Sequence, residues 1–259
     1  MKSCRFSLLV ALLATLAPIT PVRAATADTA PGRALVSRYA DAIVGIELVV
    51  MLRIKMGDRG EAPPREQRIE VNGTMISKDG LTVTTLAAVD QQATMEAMRG
   101  GSSGGRGPEI VGSEFKEVKL RLADGREVPA RFVLKDADLD LAFMAPETPD
   151  PTREYPHVKL EESVEGALLD DFYFVARAPK TLQRVPLVRK IQIMGVVERP
   201  RRFYLMSEQA PGSPVFDPQG RVLGVTLQYF ANGGRAGFVV LPAADIAEMA
   251  KQAAATMAK

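Results

Sequence analysis

Acyl transfer is one chemistry that the residues of this chain could be assembled to perform, and the sequence offers few side chains for it. The reaction needs a hydroxyl nucleophile, a base within hydrogen-bond reach, an orienting carboxylate and donors for the oxyanion. His157 is the only histidine among 259 residues, and its Tyr-Pro-His-Val setting indicates a surface or hinge position. Ser213 stands between a glycine and a proline, which favours a turn residue. Lys78 and Lys135 could act as bases only beside a serine, and the sequence identifies no serine partner for either.

Metal, cofactor and thiol chemistry find no support in the sequence. One histidine and carboxylates without a shared spacing give no metal-binding motif. The only cysteine, Cys4, belongs to a segment that we expect to be removed, so the mature protein would contain no disulfide and no thiolate nucleophile. We therefore predict neither a metal nor a cofactor.

That segment, residues 1–24, has the organisation of an export signal. Lys2 and Arg5 precede an apolar run over residues 6–17, and Val-Arg-Ala at 22–24 is a small-residue cleavage pattern. Removing it lowers the basic residues from 33 to 30 against 31 acidic residues, and such a near-neutral domain gives no reason to expect nucleic acid as a partner. We predict a bacterial periplasmic or secreted protein with no stable membrane span after cleavage; an uncleaved N-terminal anchor is the alternative.

The rest of the chain reads as two runs of short strands with a helix at either end. A helical pattern over Arg33–Ala42 gives way at Ile43 to branched, β-prone residues. Asp-Gly pairs at 79–80 and 124–125 predict tight hairpin turns. One strand is predicted to start near Lys116, and others are predicted near Asp171–Arg177 and Gln192–Val197. The predicted divisions are an N-terminal helical segment (25–42), a first barrel (43–147), a linker (148–157), a second barrel (158–241) and a C-terminal helix (242–259). The fold class that fits this pattern is all-β, a double β-barrel with a C-terminal helix.

Three blocks of sequence resemble the HtrA (high-temperature-requirement) family of trypsin-like serine proteases. Residues 71–90, VNGTMISKDGLTVTTLAAVD, are similar to the family's strand, S-K-D-G turn and T-N-N-H-V-V-D segment. Residues 135–143, KDADLDLAF, are similar to K-D-x-x-x-D-L-A-L. Residues 212–225, GSPVFDPQGRVLGV, are similar to G-G-P-L-V-N-x-x-G-x-V-I-G-I. The resemblance implies a trypsin-like fold of two Greek-key barrels; the PDZ domains that many relatives carry are not expected here.

The same resemblance implies that the catalytic triad is degenerate. The position of the histidine base holds Ala87, and the position of the nucleophile holds Pro211. Only the carboxylate is kept, as Asp140, which without a histidine could simply accept hydrogen bonds from nearby backbone N–H groups. Ser213 is the fallback nucleophile, and Gly212 and Ser213 would belong to the oxyanion loop. Proline at 211 also removes a backbone N–H from that loop.

Two further features could support binding. The glycine-rich stretch RGGSSGGRG at 99–107 indicates a solvated linker, with a partner-binding element as the alternative. Charge is uneven: residues 135–171 contain 11 acids and 3 bases, whereas residues 177–202 contain 8 bases and one acid. Exposed strand faces explain this simply, and the alternative is a docking surface for an acidic protein or an anionic polymer.

Three functions remain open from the sequence. The first is a non-catalytic module that binds a polypeptide or a partner protein, since proteases of this fold bind substrates partly as an added β-strand. The second is a divergent serine endopeptidase that uses Ser213. The third is a structural scaffold of the cell envelope. A homo-oligomer is compatible with each of them.

Overall fold

Two closed antiparallel barrels of six strands each form this protein, with a helix at either end. The structure is a computed structural model, and it describes residues 29–57, 60–92, 109–231 and 234–257. The export signal (1–24) with Cys4, and the glycine-rich stretch at 99–107, lie outside the described residues. The expected all-β double barrel with a C-terminal helix is confirmed.

The strands and helices follow one another in a simple order. The first barrel contains β1 (Ile43–Lys55), β2 (Arg65–Met75), β3 (Thr82–Thr85), β4 (Glu109–Arg121), β5 (Glu127–Asp136) and β6 (Leu141–Pro146). The second contains β7 (Asp171–Arg177), β8 (Pro186–Val197), β9 (Phe203–Met206), β10 (Pro214–Phe216), β11 (Val222–Ala231) and β12 (Gly234–Pro242). The helices are α1 (Ala30–Tyr39), the single turn α2 (Leu86–Val89) and α3 (Ala243–Met257).

Both barrels have the same strand order. Neighbours run β1-β2-β3-β6-β5-β4 in the first barrel, and β7-β8-β9-β12-β11-β10 in the second. Strand β1 shows how the sequence specifies this arrangement, because Ile46, Leu48, Val50 and Leu52 alternate with less buried residues and fill the first barrel. The barrels are thus two copies of one topology, each with its own apolar interior.

A third apolar cluster joins the barrels to each other and to the helices. Ile43 and Phe143 of the first barrel belong to it together with Val175 and Phe216 of the second. Ile246 and Ala253 of α3 are fully buried in the same cluster. Among the described residues no helix is long and apolar enough to cross a membrane.

Glycines at left-handed φ form the hairpin turns that the Asp-Gly pairs predicted. Gly80 has φ 85° and Gly125 has φ 84°, and each donates its N–H to the carbonyl three residues earlier, Ser77 and Leu122 respectively. The first of these turns connects β2 to β3. It therefore delivers the chain to α2 and to the residues that line the cleft between the barrels.

Candidate functional site

Asp140 lies where the two barrels meet, at the junction that we name the cleft, and is only 4% exposed. It directly precedes β6 and adopts a left-handed conformation, with φ 55°. Its carboxylate accepts the backbone N–H of Ala87 at 2.6 Å and that of Gln228 at 2.7 Å, and the hydroxyl of Thr85 donates to it as well. The carboxylate therefore ties β3 and α2 of the first barrel to β11 of the second.

Ala87 supplies backbone, and no side-chain base, to this arrangement. It follows β3 on the short helix α2, and the neighbouring N–H of Leu86 donates to the carbonyl of Asp140 at 2.9 Å. The methyl side chain cannot take a proton from a hydroxyl. The structure thus brings Ala87 and Asp140 together, and the contact is made through main-chain N–H groups.

His157 lies apart from these residues, in the segment that joins the barrels. Its Nδ1 is 2.9 Å from the carbonyl oxygen of Tyr155. The adjacent Val158 donates its N–H to Met75 at the end of β2. This histidine therefore has a local backbone partner in the linker.

Ser213 is fully buried, and its hydroxyl oxygen has no hydrogen-bond partner in the part of the chain that the structure describes. Its backbone is held on both sides, because its N–H donates to Ala210 and its carbonyl accepts the N–H of Thr226, each at 3.0 Å. A nucleophilic hydroxyl needs a base within reach and access for the substrate. Ser213 has neither in this arrangement.

Gly212 fastens the same loop to the first barrel. Its φ is 76°, its N–H donates to Thr226 at 2.8 Å, and its carbonyl accepts the hydroxyl of Thr74 at 2.8 Å. A Cβ at this position would lie 2.1 Å from the carbonyl oxygen of Asn72, so only glycine fits. Pro211, directly before it, is half-buried and has no N–H to offer an oxyanion.

Several residues of the site carried no signal in the sequence. Gln228 binds Asp140 through its backbone, and its side-chain amide donates to Gly237 at 2.5 Å. Asn72 accepts the hydroxyl of Thr84 through its carbonyl at 2.7 Å, and its side chain pairs with the backbone of Arg177 at 3.2 and 3.3 Å. These residues act through backbone groups or short polar side chains, which no motif distinguishes.

A buried arginine closes the junction of the barrels beside the cleft. The guanidinium of Arg177 donates to the carbonyls of Ile43 at 2.6 Å, Ala40 at 2.7 Å and Arg184 at 3.2 Å. Burial lowers its pKa, although a guanidinium stays charged in proteins. A cavity of about 120 Å³ adjoins it, lined by Glu70, Asn72 and Arg184 among others.

The described residues contain no group of three or more histidine, cysteine, aspartate or glutamate side chains placed to hold a metal ion. What the cleft does contain is a buried carboxylate saturated by backbone donors and a loop locked between the barrels. Such an arrangement stabilises the barrel interface.

Comparison with known proteins identifies the architecture. A family model described as trypsin-like peptidase domain matches residues 71–225. The crystal structure of the MamO protease domain from Magnetospirillum magneticum, in its apo form, superposes with a TM-score of 0.50 at 17% sequence identity, over 82% of this chain and 97% of that one. At that identity the likeness concerns the fold alone. A sequence comparison with curated proteins finds no match.

Proposed function

We propose that this chain, which belongs to the family of trypsin-like peptidase domains, is a non-catalytic member that binds a polypeptide in the cleft between its barrels. The environment of Asp140 carries the proposal. In an active member this carboxylate orients the histidine base, whereas here it accepts the backbone N–H of Ala87 and of Gln228. A carboxylate used in this way has a structural role.

The nucleophile side of the cleft supports the same conclusion. Pro211 has neither a hydroxyl nor an N–H, and the nearby Ser213 is buried without a base. Losing the base or the nucleophile of a triad costs about six orders of magnitude in rate in a well-studied serine protease. The loss of both base and nucleophile removes efficient hydrolysis.

Peptide binding does not require the lost residues. In β11 the backbone N–H groups of Thr226 and Gln228 face away from β12 and towards the cleft, where they meet Ser213 and Asp140. The strand continues through Tyr229 and Phe230, both half-buried aromatic residues. Because those two N–H groups are already paired, we propose that an extended peptide adds to β11 beyond Gln228, forms main-chain hydrogen bonds there and places side chains against the rings.

We further propose that the protein acts outside the cytoplasm. Residues 1–24 have the basic start, apolar run and small-residue cleavage pattern of an export signal. Expression with the native N-terminus, followed by fractionation and N-terminal sequencing, tests this. A mature protein that begins at Ala25 in the periplasm or medium is the expected result, and a cytoplasmic protein that still carries residues 1–24 would contradict it.

The decisive experiment pairs an activity probe with a binding measurement. We expect no covalent labelling of the folded protein by a fluorophosphonate, and binding of extended peptides that persists in Ser213→Ala and in Asp140→Asn. Asp138→Asn, an exposed neighbour in the same turn, is the matched control for loss of charge. Labelling that disappears in Ser213→Ala would instead establish a divergent serine peptidase.

A further inference from the structure

The first half of β8 forms an open strand edge. β8 pairs with β7 along Pro186–Gln192, but its pairing with β9 begins only at Ile193. Over Val185–Arg189, which we name the β8 edge, every residue is exposed. Within the described ranges no second strand pairs with it.

The hydrogen bonds at the two ends of this ladder determine which backbone groups point outwards. Val185 accepts the N–H of Ala178 at 3.0 Å, and Ile193 donates to Asp170 at 3.1 Å. Because these contacts alternate along an antiparallel pair, odd-numbered residues of β8 face β7 and even-numbered residues face away. Val188 therefore directs its N–H and its C=O away from β7.

At Gln192 the outward-facing backbone groups of β8 already pair with another segment of the protein. The C=O of Gln192 receives the N–H of Ser207 at 3.0 Å, and its N–H donates to the hydroxyl of the same serine at 3.1 Å. Ser207 directly follows β9, so β9 and its extension cover the outward side here. The β8 edge continues the same row of groups beyond the point where β9 ends.

The side chains of this region are unusually apolar for an exposed edge. Leu182, Val185, Leu187 and Val188 are 38–62% exposed. Edges that only need protection from aggregation carry charges or proline and few exposed apolar residues. Pro186 and Arg189 give some protection of that kind, but four exposed apolar side chains within seven positions indicate a surface that is covered by a partner.

Charge indicates the chemistry of that partner. Residues 180–190 include four bases and no acid. Arg184 turns towards Glu47 and Glu70 of the first barrel, whereas Arg189 lies on the surface and pairs with the exposed Glu208 at 2.7 Å. Exposed ion pairs of this kind contribute little to stability. A carboxylate of the partner can therefore replace Glu208 at a small cost in free energy.

From the open hydrogen-bonding row, the apolar side chains and the basic segment we infer a second polypeptide-binding site on the β8 edge. Its ligand is an extended segment of another protein in which acidic and apolar residues alternate, added to β8 as an extra strand. The segment's backbone pairs with Val188. Its carboxylates lie on the face of β8 that carries Leu187 and Arg189, and its apolar residues lie on the opposite face, beside Val188 and Gly32 of α1. This site is separate from the cleft at Asp140.

The test uses fluorescence anisotropy with a labelled peptide of about eight alternating glutamate and valine residues, the length of an ordinary strand. Val188→Pro removes the outward N–H and keeps the ladder to β7, because that N–H takes no part in it. We expect at least about tenfold weaker binding in Val188→Pro and about fivefold weaker binding in Arg189→Glu. If Val188→Pro does not fold, as judged by circular dichroism, Val188→Lys and Arg189→Glu provide the test.

Arg68→Glu is the matched control. Arg68 lies on β2 of the first barrel, is exposed and pairs with Glu66, so its reversal repeats the charge change away from β8 and should alter affinity less than about twofold. A peptide with lysine in place of glutamate should not bind.

Three results would overturn the inference. One is failure of the acidic peptide to bind the wild-type protein at millimolar concentration. Another is binding that Val188→Pro and Arg189→Glu leave unchanged, which would place the peptide elsewhere. The third is concentration-dependent dimerisation in sedimentation that Val188→Pro abolishes, which would make a second copy of this chain the occupant of the edge.

Discussion

At Gly212 the second barrel packs directly against β2 of the first barrel. A Cβ there would lie 2.1 Å from the carbonyl oxygen of Asn72 and 2.7 Å from the hydroxyl of Thr84, and φ is 76°. Both the overlap and the left-handed backbone oppose any larger residue. We expect Gly212→Ala to lower the free energy of unfolding by about 3 kcal/mol, measured by urea denaturation.

Gly125 offers a control that separates these two causes. It has φ 84°, and nothing lies within 4 Å of the position its Cβ would take. Gly125→Ala therefore reports the backbone cost alone, about 1 kcal/mol. Equal losses in the two variants would show that the contact between Gly212 and Asn72 does not constrain the loop.

Asp140 is expected to matter for stability. Asp140→Asn replaces one carboxylate oxygen by an NH₂ group, which accepts no hydrogen bond. Because the N–H groups of Ala87 and Gln228 donate to different oxygens of Asp140, one of them loses its acceptor. Leaving one buried N–H without an acceptor should cost about 2 kcal/mol, measured by thermal and urea unfolding. Asp138→Asn, on the surface of the same turn, should change the free energy of unfolding by less than about 0.5 kcal/mol.

Among the strands, those with a strong apolar pattern are predicted with the correct ends. Strands whose first residues are exposed are predicted too short, because exposed residues show no apolar pattern. The strand over Asp171–Arg177 was predicted with its observed ends, since an apolar run bounded by charges defines it. β8 was predicted to begin at Gln192 and begins at Pro186. Its first half is exposed on both faces and shows no alternation. β4 likewise starts at Glu109, before the predicted Lys116.

Some residues of the candidate site can also be predicted from the sequence, and others cannot. Family motifs assign Ala87, Asp140 and Pro211 to the triad positions, and the structure brings Ala87 into contact with Asp140. Gln228 and Thr74 could not be located, because each reaches the cleft through a contact between distant segments. A single sequence contains no record of such contacts.

Arg177 joins three elements, and its removal tests that role. Its guanidinium donates to the carbonyls of Ala40 and Ile43, which end the N-terminal helical region and begin β1. Arg177→Met keeps the bulk and leaves these buried carbonyls without a donor, so we expect a loss of about 3 kcal/mol in the free energy of unfolding. Arg189→Met, on the neighbouring strand β8 and exposed, should cost less than about 0.5 kcal/mol.

Tyr39 anchors α1 to the second barrel and gives the fold a pH dependence. Its ring stacks on Phe216 with centroids 4.2 Å apart, and its hydroxyl donates to the carbonyl of Gly220 at 2.7 Å. Burial raises the pKa of Tyr39, against a smaller lowering by Arg38. The folded state therefore keeps the phenol proton at pH values where the unfolded chain loses it.

The contribution of Tyr39 to the free energy of unfolding is therefore fully present below pH about 10, the ordinary pKa of tyrosine. It is lost as the pH rises through the higher pKa of the folded state. Urea denaturation between neutral and strongly alkaline pH should show this decline. In Tyr39→Phe the decline should be smaller, with a loss of about 1 kcal/mol at neutral pH from the missing hydrogen bond. If the free energy of unfolding of Tyr39→Phe declines with pH as steeply as that of the wild type, other groups cause the decline.

Across the whole molecule, folding brings the unevenly charged stretches of the chain together. Within the described residues, six of the eight bases in residues 177–202 contact a carboxylate, among them Lys190 with Asp171 and Arg202 with Glu165 of the acidic stretch. The basic run therefore does not form one uncompensated surface. For this reason the inferred docking at β8 depends on strand pairing as well as on charge.

The barrels should also unfold together. The apolar cluster at their junction takes Phe143 from the first barrel, Phe216 from the second and Ile246 from α3, so neither barrel can open without exposing apolar surface of the other. Calorimetry should show one transition whose calorimetric and van't Hoff enthalpies agree. Arg177→Met should move this transition to lower temperature as a whole. Two separate transitions in that variant would show that the barrels are independently stable and that the buried arginine, rather than the apolar cluster, couples them.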